Sequence, residues 1–137
     1  MKVLALLLCS LCFLAFSPVL LAESRSLSFY HTHTGRTLEI VYYQNGSRND
    51  DGIQAINQFL SDFRSGDVHP IAVDLLDLLH EIHTLTKSQK PFEVISAYRS
   101  EATNQMLRSR SVDSGVARKS MHLLGSAIDV RLADVPL

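Results

Sequence analysis

The chain has 137 residues, a length that fits one domain with a modest hydrophobic core. Lysines and arginines number 13 and acidic residues 14, which gives a formal net charge of −1 at pH 7. This balance, without a basic stripe along the chain, argues against nucleic acid as a partner. Both cysteines, Cys9 and Cys12, lie near the N-terminus, so we expect no disulfide in the domain that follows.

Residues 1–22 have the pattern of a secretory signal peptide. Lys2 precedes an apolar run, Pro18 interrupts the segment near its end, and the small Ala22 stands where polarity begins. A retained membrane anchor is the alternative, because the run approaches the length that spans a bilayer. We expect cleavage, which leaves residues 23–137 as one exported domain with 12 basic and 14 acidic residues and no stable membrane span. The expected location is the periplasm or the cell envelope.

Two strand-like runs flank a turn at the start of this domain. Leu27–Tyr30 and Thr37–Tyr43 are rich in β-branched and aromatic residues with Gly35 between them, which predicts a β-hairpin. His31 and His33 would share one face of a strand, as a two-histidine metal clip requires. We favour polar side chains on an exposed hairpin face instead, because no acidic or thiol ligand adjoins them.

Two amphipathic helices are predicted next. Apolar residues recur at helical spacing across Ile53–Phe63, after a polar loop whose Asn and Asp residues can cap the helix. A second helix, opened by Pro70, carries leucines and isoleucines across Ile71–Leu85. His80 and His83 are three residues apart on it, which is a possible metal spacing. They lie mostly off the leucine stripe, so we interpret them as surface histidines.

The C-terminal half adds two strands and a helix. Phe92–Ser96 is rich in apolar and β-branched residues and predicts a strand, and Ser100 is a suitable N-cap for the helix after it. Ala127–Leu132 predicts a last strand whose apolar residues share one face, with Asp129 on the other. Strands at both ends with helices between them predict a single α+β domain. We expect a small antiparallel sheet, an N-terminal hairpin and about three helices.

The stretch from Ser120 to Asp129 carries the ligand types of a catalytic zinc ion. It holds His122, Gly125 three residues later, and Asp129 in a short apolar run. Imidazole and carboxylate are zinc ligands, with a third protein ligand and a water completing the site. Seven residues of helix would separate the two ligands by about 10 Å, so we predict a turn at Gly125 that points Asp129 toward His122. The eight residues after Asp129 contain no His, Cys or Glu, so the third ligand is not identified.

Several separated motifs occur in an order that is more specific than any one of them. They are Ile95-Ser96-Ala97-Tyr98-Arg99-Ser100, Asn104 with Leu107-Arg108, Ser114–Ser120, and His122–Asp129, preceded by His33-Thr34-Gly35 and the Ile53–Phe63 helix. In this order they resemble the murein endopeptidase K (DUF882) group of the peptidase M15 family, which is related to zinc D-alanyl-D-alanine carboxypeptidases. The resemblance covers nearly all of residues 23–137.

This resemblance implies an exported Zn²⁺ metallopeptidase that hydrolyses peptide cross-links or stem peptides of bacterial peptidoglycan. It would be similar to DD-endopeptidases and carboxypeptidases, with His122 and Asp129 binding zinc. Arg99 would hold the substrate or the developing oxyanion, a role that suits a fixed guanidinium. Ser120 is expected to support the loop or a hydrogen bond of His122. The alternatives are a structural salt bridge for Arg99 and a surface carboxylate for Asp129.

The resemblance also implies that the third zinc ligand and the general base come from a further C-terminal strand. No such element follows Leu132, so we expect the domain to lack its last strand, as a fragment or as a shortened paralogue. A shortened paralogue would act as a peptidoglycan- or metal-binding module without hydrolysis. A third interpretation completes the site with His31, His33, His80 or His83, but metal geometry tolerates little misplacement.

Overall fold

The computed structural model describes residues 23–110 and 113–136, which form a five-stranded sheet with three α-helices. The strands are β1 Ser24–His31, β2 Thr37–Gln44, β3 Ser47–Arg48, β4 Phe92–Ser96 and β5 Asp129–Arg131. The helices are α1 Asp50–Phe59, α2 Val73–Thr86 and α3 Glu101–Ser109, and a short 3₁₀ helix spans Met121–Leu124. The predicted α+β class, hairpin and three helices are confirmed. The expected signal segment lies outside the described residues, and none of the described helices is long and apolar enough to cross a membrane.

The strand order of the sheet is β3-β2-β1-β4-β5. The hairpin of β1 and β2 is antiparallel, whereas β1 and β4 run parallel with Phe29 opposite Phe92. The parallel pair makes the sheet mixed, which the sequence did not predict, and the chain between these strands supplies the long crossover that parallel pairing needs. Because β5 is antiparallel to β4, Asp129 at its start pairs with Ser96 at the end of β4. One end of the sheet therefore collects the end of β1, the end of β4 and the start of β5.

The helix boundaries follow local hydrogen bonds. Asn49 caps α1, its side chain accepting the Gly52 N–H at 3.2 Å, and Ser100 caps α3 as predicted. The first helix ends at Phe59, before Phe63, the last apolar residue of its pattern, and before the end that we predict near Ser65-Gly66. Beyond Phe59 the Asp62 side chain accepts a backbone N–H two residues later, a local bond that competes with helix formation.

The hydrophobic core lies between the sheet and the first two helices. Its most buried large side chains come from all of these elements: Phe29, Tyr42, Ile56, Leu60, Leu76, Leu79, Phe92 and Val94. His31 also belongs to this face, because it is only 2% exposed and its ring contacts Phe59 and Phe63. The interpretation of His31 as an exposed hairpin residue is therefore wrong, whereas His33 is exposed as expected.

Candidate metal and catalytic site

Three side chains converge at the end of the sheet where β4 finishes and β5 begins. Arg99 follows β4, His122 lies in the 3₁₀ helix, and Asp129 is the first residue of β5. The Asp129 Oδ2 atom is 3.4 Å from His122 Nε2 and 3.3 Å from Arg99 Nη2. The side chains of His122 and Arg99 are 10% and 12% exposed, whereas that of Asp129 is 51% exposed. The group therefore has two anchored members and a carboxylate that solvent can reach.

The turn that carries His122 is shaped by the residues on either side of it. Ser120 caps the 3₁₀ helix, and its hydroxyl accepts the His122 backbone N–H at 3.3 Å. Gly125 ends the turn with a φ of +63°, and its carbonyl accepts the Ala72 N–H at 3.0 Å. A Cβ atom on Gly125 would lie 2.3 Å from the Pro70 carbonyl oxygen, so glycine is required for both the conformation and the contact. The turn predicted at Gly125 is thus packed against the start of α2.

A backbone carbonyl fixes the orientation and the tautomer of the His122 ring. Nδ1 lies 2.6 Å from the Ala97 carbonyl oxygen. Because a carbonyl oxygen can only accept, Nδ1 carries the proton, and a neutral ring presents its lone pair at Nε2 toward Asp129. Two acceptors then face each other at 3.4 Å, a separation longer than an ordinary hydrogen bond. This arrangement would suit a metal ion that contacts both atoms.

The donor set of this pair fits zinc. Imidazole nitrogen and carboxylate oxygen are both zinc ligands, and two such atoms around one tetrahedral zinc ion lie about 3.3–3.5 Å apart. The observed separation of His122 Nε2 and Asp129 Oδ2 is 3.4 Å. The bond from Nδ1 to a carbonyl is the supporting contact that metal-binding histidines normally make. Within residues 23–110 and 113–136, no further His, Cys, Asp or Glu joins the pair as a group of three ligands.

Arg99 is fixed beside this pair by three hydrogen bonds. Its Nε donates to the Ser96 hydroxyl at 3.0 Å and its Nη2 to Asp129 at 3.3 Å. Its backbone N–H donates to the His122 carbonyl at 3.2 Å, which ties the segment after β4 to the 3₁₀ helix. The guanidinium is therefore held next to the carboxylate, in the planar geometry that also suits a second anionic group.

A buried carboxylate that the sequence reasoning missed lies beneath this segment. Asp62 is fully buried, and its Oδ2 accepts the Ser100 backbone N–H at 2.9 Å and the Ser100 hydroxyl at 2.8 Å. Burial by itself raises the pKa of Asp62, but hydrogen bonds from Thr103, Ser100 and Arg64 prevail and lower it to about 2. Asp62 is therefore ionised at neutral pH and anchors the start of α3 directly after Arg99.

The other histidines considered in the sequence lie in different contacts. His33 stacks on Phe63 with ring centroids 4.7 Å apart, next to the buried His31. On α2, His80 Nδ1 lies 3.3 Å from the Ser26 carbonyl and His83 Nε2 lies 3.0 Å from the Lys90 carbonyl. Both are half-buried, so they are less exposed than a surface interpretation expects. None of the four joins a group of three possible metal ligands in the described part of the chain.

The family model and the similar proteins found by comparison all carry the same family description. A family model described as peptidoglycan L,D-endopeptidase MepK matches residues 20–137. The chain belongs to this family. It is 32% identical over 123 residues to peptidoglycan L,D-endopeptidase MepK of Escherichia coli K12, which covers 90% of this chain and 66% of that protein. It is 34% identical over 116 residues to the probable MepK of Haemophilus influenzae Rd, covering 84% of this chain and 61% of that protein.

MepK-family membership confirms the resemblance to this group that the sequence motifs indicated. The chain spans less than two thirds of the length of these curated relatives. No solved structure gives a significant match.

Proposed function

We propose that this MepK-family domain hydrolyses peptide bonds of bacterial peptidoglycan with a zinc ion held by His122 and Asp129. The observation that carries the proposal is the 3.4 Å approach of His122 Nε2 to Asp129 Oδ2, with Nδ1 tied to a carbonyl. The names of the relatives, L,D-endopeptidases of peptidoglycan, support the substrate class and favour an L,D bond within the peptides.

Each side chain of the site has a defined part in this proposal. The Ala97 carbonyl keeps the proton on Nδ1, so that Nε2 of His122 stays a ligand, and Asp129 adds a negatively charged oxygen. A bound zinc ion would supply Lewis acidity for an amide carbonyl and a water that ionises near neutral pH. Arg99, next to Asp129, complements the developing oxyanion or a substrate carboxylate. The general base is not assigned among these three residues.

We also propose that the domain acts outside the cytoplasm, in the periplasm or cell envelope where its substrate lies. Residues 1–22 carry the composition of a signal peptide, and the family match starts at residue 20. N-terminal sequencing of the protein recovered from the cell envelope fraction tests this. We expect a mature chain that begins at Glu23; a chain that keeps Met1 in the cytoplasmic fraction would contradict it.

The activity is tested with purified murein sacculi and the full chain, after removal of metal by a chelator and again after addition of zinc. We expect one equivalent of zinc to bind and soluble muropeptides to appear only when zinc is restored. Mass spectrometry of the products identifies the bond that is cleaved. If zinc binds but no muropeptide is released, the chain is the peptidoglycan- or metal-binding module that the sequence offered as the alternative. If zinc does not bind, the metal assignment is wrong.

A further inference from the structure

A second arginine lies in the segment that supports Arg99. Arg64 is in the turn after α1, and its backbone N–H donates to Asp62 Oδ1 at 3.0 Å. The other oxygen of the same carboxylate accepts the N–H of Ser100, the residue directly after Arg99. One buried carboxylate therefore holds both arginine-bearing segments in a fixed relation. This bond involves only the backbone of Arg64, so the guanidinium can make other contacts.

The Arg64 side chain lies on an aromatic surface. Its guanidinium carbon is 4.1 Å from the centre of the Phe63 ring, and this ring also stacks with His33. Such a cation–π contact restricts the guanidinium without neutralising its charge or occupying its hydrogen-bond donors. Within the described residues, no carboxylate forms a salt bridge with Arg64. Its hydrogen-bond donors are therefore not used by an ion pair within those residues.

Two other positively charged side chains, Arg99 and Arg110, are near enough to affect the charge of Arg64, although the chain has a net charge of −1. Partial burial lowers the pKa of Arg64 the most, and the nearby positive charges of Arg110 and Arg99 lower it further against the opposing effect of Asp62. Of the two arginines joined through Asp62, Arg99 forms a salt bridge with Asp129, whereas Arg64 forms none within the described residues. An anion placed here would relieve the repulsion between the guanidinium groups.

We infer that Arg64, held on the Phe63 ring and joined through Asp62 to the segment of Arg99, forms a subsite for a free carboxylate of the substrate peptide. This inference rests on the proposed function, and it adds a residue that determines which peptides bind. The peptides of peptidoglycan carry free carboxylates, and a guanidinium binds a carboxylate through two parallel hydrogen bonds. Arg64 is a substrate-positioning residue in this assignment, whereas Arg99 lies at the proposed reacting centre.

The test measures equilibrium binding of sacculus-derived muropeptides to the zinc-loaded chain at 4 °C. One portion of the muropeptides is used as released, and a second has its carboxyl groups converted to amides with carbodiimide and ammonium chloride. We expect Arg64→Gln to weaken binding of the unmodified muropeptides about tenfold and to leave binding of the amidated ones unchanged. The matched control is Arg48→Gln, an exposed arginine on β3 at the opposite edge of the sheet, which should bind both portions like the wild type.

Two further results separate this subsite from the proposed activity. If the wild type binds and cleaves muropeptides but Arg64→Gln binds the unmodified portion equally well, the subsite is wrong and the activity stands. If the wild type binds neither portion and releases nothing from sacculi, both proposals are wrong. Arg64→Lys checks that geometry matters and not charge alone: we expect its affinity between those of wild type and Arg64→Gln, because an ammonium cannot form the two parallel bonds.

Discussion

Two of the histidine-bearing regions of the molecule, the α2 surface and the end of β4, differ in composition, and only the second pairs a histidine with a carboxylate. On α2, His80 and His83 line a cavity of about 540 Å³ together with Lys87, Lys90 and Glu39. At the end of β4, His122 faces a carboxylate across 3.4 Å. In both places a ring nitrogen bonds to a backbone carbonyl. The histidines on α2, within the described residues, have no carboxylate at ion-pair distance.

The proposed zinc site is chosen by the fixed distance between two possible ligand atoms and not by the size of a cavity. A metal ion needs an unprotonated nitrogen and a negative oxygen held within a few tenths of an ångström of their places. The turn at Gly125 and the pairing of Ser96 with Asp129 position the two atoms that we propose as zinc ligands. The α2 cavity is spacious, but its lysines would repel a cation.

Removing one histidine from each surface tests most directly which of them binds zinc. We expect His122→Ala to weaken zinc binding by more than about 100-fold, because loss of a supporting contact alone costs 10–100-fold. His80→Ala should bind zinc as the wild type does. Isothermal titration of the metal-free proteins measures both affinities. Equal loss in the two variants, or a stoichiometry of one zinc that survives His122→Ala, would show that the metal lies elsewhere.

A second change separates metal binding from catalysis at the β4 end. Arg99→Gln should lower kcat on muropeptides by about 100-fold or more, because it removes a charged donor at a developing oxyanion. Zinc affinity should change little, since the variant keeps both ligands. Arg131→Gln is the control, because Arg131 shares the β5 strand but pairs with Glu93. A proportional fall in zinc affinity and kcat for Arg99→Gln would mean that Arg99 only maintains the site.

The sequence predicted the parts of this site that are local. His122, the turn at Gly125 and the strand that starts near Asp129 lie within ten residues, where spacing and ligand type are informative. The Ala97 carbonyl was not predictable, because any residue presents a carbonyl and only the packed structure brings this one to Nδ1. The parallel pairing of β1 and β4 was missed for a similar reason, since it depends on the long connection through β2, β3, α1 and α2 and not on either strand alone.

His31 is a different case, because the sequence did contain a signal for its burial. In a strand, alternate residues share one face, and Leu27, Phe29 and His31 follow that spacing. Our prediction gave more weight to the polar character of histidine than to the position of His31 in the strand. A histidine in register with two core residues is better assigned to the core face.

A third, smaller effect is expected on stability when Gly125, in the turn between His122 and Asp129, is replaced. Gly125→Ala places a Cβ atom 2.3 Å from the Pro70 carbonyl oxygen in a left-handed conformation, and we expect a loss of about 2–4 kcal/mol in the free energy of unfolding. Gly35→Ala is the matched control, because its φ is +69° and no atom lies within 4 Å of the new Cβ. It should lose about 1–2 kcal/mol from the conformation alone. Urea unfolding measures both, and equal losses would mean that the contact with Pro70 is unimportant.

The smallest effect concerns Asp62, which supports the β4 end and has a pKa lowered to about 2 in the folded chain. A carboxyl group with an ordinary pKa near 4 when unfolded then stabilises the fold fully above that pH, and the stabilisation is lost as the pH falls toward 2. We expect the free energy of unfolding to fall by about 2 kcal/mol from this group across that window. Urea unfolding at several pH values measures it.

Asp62→Asn provides the comparison that isolates this contribution from other titrating groups. Its amide cannot accept all the hydrogen bonds that the carboxylate receives from Ser100 and Arg64, so the variant should be about 2 kcal/mol less stable at pH 7. Its stability should approach that of the wild type near pH 2, where the wild-type carboxylate becomes protonated. Asp51→Asn, at an exposed position in the first turn of α1, is the control for the removal of one negative charge elsewhere on the chain. If the free energy of unfolding changed with pH in the same way for wild type and Asp62→Asn, the charge of Asp62 would not anchor this end of the sheet.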